Sequence, residues 1–292
     1  MNRIKGILYA AVSSSTFGLA PFFSITLLLA GFSAFEVLSY RWGVAAIVLT
    51  LFGWGSGCNF RLAKKDLLVV FLLSLLRATT SFSLLIAYQN IATGVASTIH
   101  FMYPLAVSLA MMFFFHEKKS LLVMLAVLMS LFGAALLSSG ELEAKSGDTI
   151  VGLVAACISV FSYGGYIIGV RTTRAAQINS TVLTCYVMGM GAVLYLIGAM
   201  ATSGLHLVTD GYIWLIILGL ALPATAISNI TLVRAIKYAG PTLTSILGAM
   251  EPLTAVVIGV FVFKELFTLN SVIGILLILL AVGMVVFRKQ KS

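Results

Sequence analysis

Five ionisable side chains sit inside long apolar runs of this sequence: Glu36, close to the outer surface, and Arg41, Arg77, His100 and Glu251. An ionisable group in hydrocarbon costs roughly 3 kcal/mol or more, so it faces a cavity, a partner or an ion pathway. Glu251 lies roughly nine residues, about 13 Å, into its run and directly precedes Pro252. Proline cannot bond the carbonyl four residues back, so Pro252 frees the carbonyl of Gly248 and Pro104 frees that of His100. Ser245, Gly248 and Glu251 follow i, i+3 spacing and share a face. His100 has the side chain whose ordinary pKa suits proton exchange near neutrality. His100 and Glu251 are therefore candidates both for proton coupling and for substrate binding.

Arg77 lies about as deep as Glu251, and a guanidinium cannot deprotonate there. It suits a substrate carboxylate, or it neutralises Glu251; the sequence leaves both open. Arg41 stands between Tyr40 and Trp42, and follows Glu36 at a spacing that pairs poorly on a helix. A gating or structural part is expected of Arg41, Pro104 and Pro252. Uncharged candidates are Tyr103, one turn after His100, Tyr163 in Tyr163-Gly164-Gly165-Tyr166, and Asn229 among Thr225, Ser228 and Thr231. Gly165 and Gly169 have the small-xxx-small spacing that lets helices approach closely. Pro21 and Pro223 permit local breaks.

No catalytic set is visible. His100, His116 and His206 lack metal-ligand spacing, and there is no nucleophile motif, P-loop or dinucleotide fingerprint. Cys58, Cys157 and Cys185 read as apolar fillers. No metal or cofactor is expected, and energy must come from an ion or substrate gradient.

The elements that carry these residues are membrane helices. Of the 292 residues, 61% are hydrophobic and 9% charged, against about 25% charged in a soluble domain. Mean hydropathy is +1.11. Runs long enough to cross a bilayer core of about 30 Å are expected at 6–30, 33–53, 67–88, 95–115, 120–138, 149–170, 180–202, 211–233, 242–263 and 267–287. The first is read as retained, since no cleavage site ends it.

The net charge of +9 is distributed by loop. One set of loops and the two ends hold Arg3, Lys5, Arg61, Lys64, Lys65, Lys118, Lys119, Arg171, Arg174, Arg234, Lys237, Arg288, Lys289 and Lys291; the other loops hold only Lys145 and Lys264. Positive residues stay cytoplasmic, which predicts both termini inside and the acidic loop with Glu141, Glu143 and Asp148 outside. The charge excess is topological and calls for no nucleic-acid partner.

An offset of 148 places His100-Phe101-Met102-Tyr103-Pro104-Leu105 on Gly248-Ala249-Met250-Glu251-Pro252-Leu253. It also pairs Ala87/Ala235, Ser97/Ser245, Phe113/Phe261, Phe115/Phe263 and Glu117/Glu265. At a slightly different offset, Gly6/Gly152, Ser13/Ser159 and Gly18/Gly164 align. Two repeats, 1–145 and 146–292, each with five spans, must have opposite orientations. Inverted repeats are the architecture of many secondary transporters, with the substrate near the midplane.

With Tyr103-Pro104 through Glu117, and Glu251-Pro252 through Lys264-Glu265, the chain resembles the drug/metabolite transporter superfamily, EamA type. The resemblance implies an all-α membrane protein with a cavity lined by helices 1, 3, 4, 6, 8 and 9, and with helices 5 and 10 outside. It also implies transport, often outward, of amino acids, other metabolites or toxic compounds. The expected reading is a secondary transporter of the plasma (inner) membrane, not an enzyme. Its partners would be a small-molecule substrate, the lipid bilayer and protons, in a monomer or homodimer. Arg77 would take a carboxylate and Glu251 an amine. A drug or cation exporter is the nearest rival, ahead of a membrane-embedded enzyme or a scaffold.

Overall fold

The computed structural model describes residues 2–117, 120–138, 147–202, 204–254 and 268–286. Lys118, Lys119, Glu141, Glu143, Lys145, Phe261, Phe263, Lys264, Glu265, Arg288, Lys289 and Lys291, and the second half of the ninth expected run, lie outside the described residues. Within them the chain is helical, with no strand: α1 Asn2–Phe17, α2 Ala20–Leu29, α3 Ala34–Gly55, α4 Lys64–Asn90, α5 Thr93–His100, α6 Tyr103–Phe113, α7 Leu121–Ser138, α8 Thr149–Thr172, α9 Ser180–Ala201, α10 Gly211–Ala221, α11 Ser228–Ala239, α12 Pro241–Leu247, α13 described over 250–254, and α14 Leu269–Val286. Among the described residues, seven helical stretches are long and apolar enough to span a bilayer, and two shorter apolar helices fall in α7 and α14.

Helix starts follow local chemistry. Ser33 and Glu36 form a reciprocal capping box on α3, which satisfies two otherwise orphaned amides. Asp148, Asn179 and Asp210 cap α8, α9 and α10 through their side chains.

Four expected runs are not single α-helices; the sequence allowed for local breaks at Pro21 and Pro223, and the runs with Pro104 and Pro252 break as well. Each contains a proline. The first breaks at Gly18–Leu19 before Pro21, the fourth at Phe101–Met102 before Pro104, and the ninth at Gly248–Ala249 before Pro252. In the eighth, Pro223 opens a π-helical turn, Leu222–Ile227. Proline removes a ladder bond, and such kinks have that cause. The carbonyl of Gly248 is not left free as the sequence suggested, because the Glu251 amide donates to it at 2.9 Å.

Packed helix pairs include α1 with α11, α3 with α9, α4 with α8, α6 with α12, and α7 with α14. Four of these pairs run antiparallel. Along α9, Cys185, Gly191 and Gly198 meet Thr50, Trp42 and Phe35 of α3 in turn. Along α8, Gly152, Ser162 and Gly169 meet Ile91, Thr80 and Leu73. Gly6 meets Ala239, and the Ser13 hydroxyl donates to the Ser228 carbonyl at 2.8 Å. Tyr103 meets Gly248, while Thr242 donates to Glu117 at 2.6 Å. The repeat offset maps α1–α11 onto α8–α4, and maps α3–α9 and α7–α14 each onto itself. A Cβ on Gly6 would lie 2.6 Å from Ala239 Cβ, and one on Gly152 would lie 2.5 Å from Ile91 Cγ2. Ile91 and Ala239 are themselves equivalent positions at the offset of 148.

Helices α7 and α14 pack together at the edge, against a small cluster with Ala10, Ala235 and Ile246. Phe132, Leu128, Leu276 and Leu280 on these two helices are exposed, as a lipid-facing surface requires. Polar residues are concentrated inside.

Glu36 is fully buried, yet its partner is neither arginine. Its carboxylate accepts from the Ser33 amide at 2.9 Å, from the His206 amide at 2.8 Å and from His206 Nδ1 at 2.7 Å. Tyr40 adds a hydrogen bond to the His206 carbonyl. This ties the loop before α10 to the start of α3. Glu36→Ala removes the acceptor of all three donors, and a lost charge-assisted bond is worth about 1.5–3 kcal/mol. The variant is expected to unfold at lower temperature in detergent and to be nicked faster at residues 204–210 by added protease. Unchanged nicking would mean that the tie does not hold the loop.

Candidate functional site

The π-helical turn builds the polar centre. Pro223 has no amide to give the Gly219 carbonyl, and the helix widens there. The Thr225 hydroxyl donates to the Leu220 carbonyl at 2.7 Å, and Asn229 Nδ2 donates to the Thr225 carbonyl at 2.8 Å. Both side chains then meet arginines from other helices. Arg41 Nε on α3 donates to Thr225 Oγ1 at 2.6 Å, with a longer contact of 3.5 Å from Nη2 to the Ala224 carbonyl. Arg77 Nε on α4 donates to Asn229 Oδ1 at 2.9 Å, and Nη1 reaches Ser81 Oγ at 3.4 Å. π-helical turns of this kind occur often at functional sites.

Aromatic rings form the rest of the enclosure. The Arg77 guanidinium stands 5.0 Å from the Tyr163 ring centre, 5.2 Å from that of Phe17 and 6.0 Å from that of Tyr166. Arg41 lies over the same Phe17 ring at 5.6 Å. Such contacts strengthen when desolvated, and Arg77 is only 1% exposed.

His100 lies against this group. Its ring stacks on Tyr163 at 5.4 Å, and Tyr103 packs edge-on to Tyr163 at 4.6 Å. Nδ1 is 2.8 Å from Ser159 Oγ, and that hydroxyl donates to the Ala156 carbonyl at 2.6 Å. The hydroxyl proton being spent, we assign the imidazole proton to Nδ1. Nε2 is then an acceptor, and it is buried with no hydrogen-bond partner among the described residues; Tyr166 Oη is in the same condition. Buried polar atoms of this kind are uncommon and call for an explanation.

Glu251 is half-buried on α13. Its backbone packs on the break between α1 and α2, where a Cβ on Gly18 would lie 2.7 Å from the Glu251 carbonyl oxygen. It is in electrostatic range of Arg77, Arg41, Tyr103 and Tyr163. No ion pair joins it to either arginine among the described residues; the ion pairs there are Arg174–Asp66 and His206–Glu36.

The structure thus gathers Arg77, His100, Tyr103, Tyr163, Asn229 and Glu251 into one region. Pro104 and Pro252 lie at the breaks beside it. Arg41, on a helix that the resemblance does not place among the cavity walls, lines the same cavity as Arg77. That cavity, about 20 Å³, has room for about one water. Phe17, Ser24, Arg41, Arg77, Ser81 and Tyr88 are among its lining residues. A larger hollow of about 500 Å³ between α3 and α9 has no charged lining residue and is a poor candidate for polar cargo. Sequence reasoning missed Phe17 and Ser81 as site residues, and noted Ser159 only through its repeat match with Ser13.

A family model described as the EamA-like transporter family matches residues 4–139 and again 150–287. The chain belongs to the EamA-like transporter family. It is therefore a multi-pass membrane protein and a transporter of small molecules, with the two-repeat architecture of that family. A solved crystal structure, described no further than as that of a protein, superposes with a TM-score of 0.79 at 17% identity. The match covers 97% of this chain and 96% of the other, so the fold is shared over the full length. No curated protein matches the chain.

Proposed function

We propose that this EamA-family protein is a secondary transporter that exports small metabolites, amino acids among them, across the plasma (inner) membrane by alternating access. Two inverted five-helix halves, residues 1–145 and 146–292, would rock about the central polar group. The observation that supports this best is the reciprocal, antiparallel pairing of helices around Arg77, Asn229, His100 and Glu251. Inverted repeats that meet at a buried polar centre are the usual arrangement for alternating access. In this reading Arg77 holds a carboxylate and Glu251 an amine, with Tyr103, Tyr163 and Asn229 shaping the site. His100 and Glu251 are the residues positioned to exchange a proton. Arg41, Pro104 and Pro252 govern closure.

The test is counterflow in proteoliposomes with purified protein and a panel of labelled metabolites. Accumulation of label driven by unlabelled compound inside, absent from protein-free vesicles, supports the reading. Absence of exchange for every class of compound contradicts it.

The proposed orientation places both termini in the cytoplasm. Reporter fusions after residues 60, 118 and 173 are expected to give the cytoplasmic signal, and those near 143 and 207 the external one. An external signal at 173 would give the two halves the same orientation and remove the inverted-repeat basis for alternating access.

A further inference from the structure

The two cavity arginines differ from ordinary buried arginines in how little of their hydrogen-bonding capacity is used. A guanidinium has five N–H donors. Arg41 makes one short bond, to Thr225, and one long contact. Arg77 likewise makes one short bond, to Asn229, and one long contact. Neutral groups fix both Nε atoms, which sets the direction of each fork. The unspent terminal nitrogens belong to side chains that line one shared cavity, together with the hydroxyl-bearing residues Ser24, Thr80, Ser81 and Tyr88. Both guanidinium groups stand over one Phe17 ring.

The charges do not balance. Among the described residues, Glu251 is the carboxylate in electrostatic range of these two arginines, and it forms no ion pair with either. Among the described residues, two fixed cations against one carboxylate leave a surplus positive charge in the buried polar centre, where an unpaired charge is costly. Planar forks that carry unspent donors match carboxylate and other oxyanions bidentately.

We propose that Arg41 and Arg77 together form an oxyanion site, and that the transported compound must carry a carboxylate or comparable anionic group which seats between them. Arg41 is then a specificity-determining residue in addition to its part in closure. The inference rests on the transport reading above and narrows its substrate class to anions and zwitterions. A compound bearing only positive charge meets the surplus cation, and like-charge juxtaposition discriminates strongly against wrong ligands.

The experiment is a counterflow panel in proteoliposomes with size-matched compounds: neutral amino acids, their amides, the corresponding amines, and monocarboxylates and dicarboxylates. Exchange is expected for members bearing a carboxylate and not for the amines or amides. For whichever carboxylate exchanges, Arg41→Gln is expected to raise the half-saturation concentration about tenfold or more, the scale of a lost charge-assisted bond. Arg41→Lys is expected to recover part of that loss, which a purely architectural role of the fork would not allow. If Arg41→Gln does not fold, the wild-type panel alone still decides. Exchange of amines in preference to carboxylates overturns the oxyanion site while leaving transport standing. Absence of exchange by any class overturns both.

Discussion

Gly248→Ala is expected to be among the most damaging single-atom additions in this protein. Tyr103 Oη already occupies the place where the new Cβ would go, with Tyr103 Cζ 2.9 Å and the Ser245 carbonyl 2.8 Å from it. Tyr103 has little room to yield, because it is wedged between His100 and Tyr163 and is almost wholly buried. Overpacking of this kind costs about 1–3 kcal/mol, and occasionally more. The cost falls where α6 meets α12 and the Gly248–Ala249 break, on a break that the transport cycle would have to flex. Thermal stability in detergent and counterflow are both expected to drop. Tyr103→Phe in the Gly248→Ala background is expected to recover part of the stability, since it removes the overlapping oxygen but not the ring or the Ser245 carbonyl. Full tolerance of Gly248→Ala would show that the two broken helices do not pack as described.

The second large effect concerns Arg77. Arg77→Met removes the charge-assisted bond to Asn229 and the cation over three aromatic rings. It leaves Asn229 Oδ1 without its donor, so about 1.5–3 kcal/mol of stability is expected to go, with loss of most exchange. The informative measurement is a pair of double-mutant cycles read by thermal unfolding. Arg77 and Asn229 touch, and groups in one network couple by about 0.5–3 kcal/mol. Arg77→Met with Asn229→Leu is therefore expected to be clearly non-additive. The cycle with Glu251→Gln is expected to give the smaller coupling, because no hydrogen bond or ion pair joins Arg77 to Glu251. The reverse order would restore direct neutralisation of Arg77 by Glu251, the alternative that the sequence left open.

Much of the architecture was legible because lipid imposes simple rules. Apolar length marked the helices, and the offset between the Pro104 and Pro252 segments marked the repeat. Mid-span charge pointed to Arg77 and Glu251, and a polar amide among apolar neighbours pointed to Asn229. Other features depend on where chains meet in space. Arg41 lies on a helix that the family resemblance places away from the cavity. Its guanidinium is held by a π-helical turn whose Thr225 lies 184 residues on, and a proline in an apolar run does not by itself specify that widening. The carbonyl of Gly248 was expected to be free, but a tighter local bond from Glu251 takes it. Glu36 was tested against Arg41 by helical spacing, whereas its partner, His206, comes from the other half of the chain.

The central claim is that the cavity between Arg41 and Arg77 is a transport pathway reached from each side in turn. Ser81 lines that cavity and is buried, so a single cysteine there, in a background with Cys58, Cys157 and Cys185 replaced, reports on access directly. Labelling of Ser81→Cys by a membrane-impermeant thiol reagent is measured in right-side-out and inside-out vesicles. The account predicts reaction from both sides, with protection by a transported compound. Reaction from one side only, or from neither, would contradict alternating access at this site.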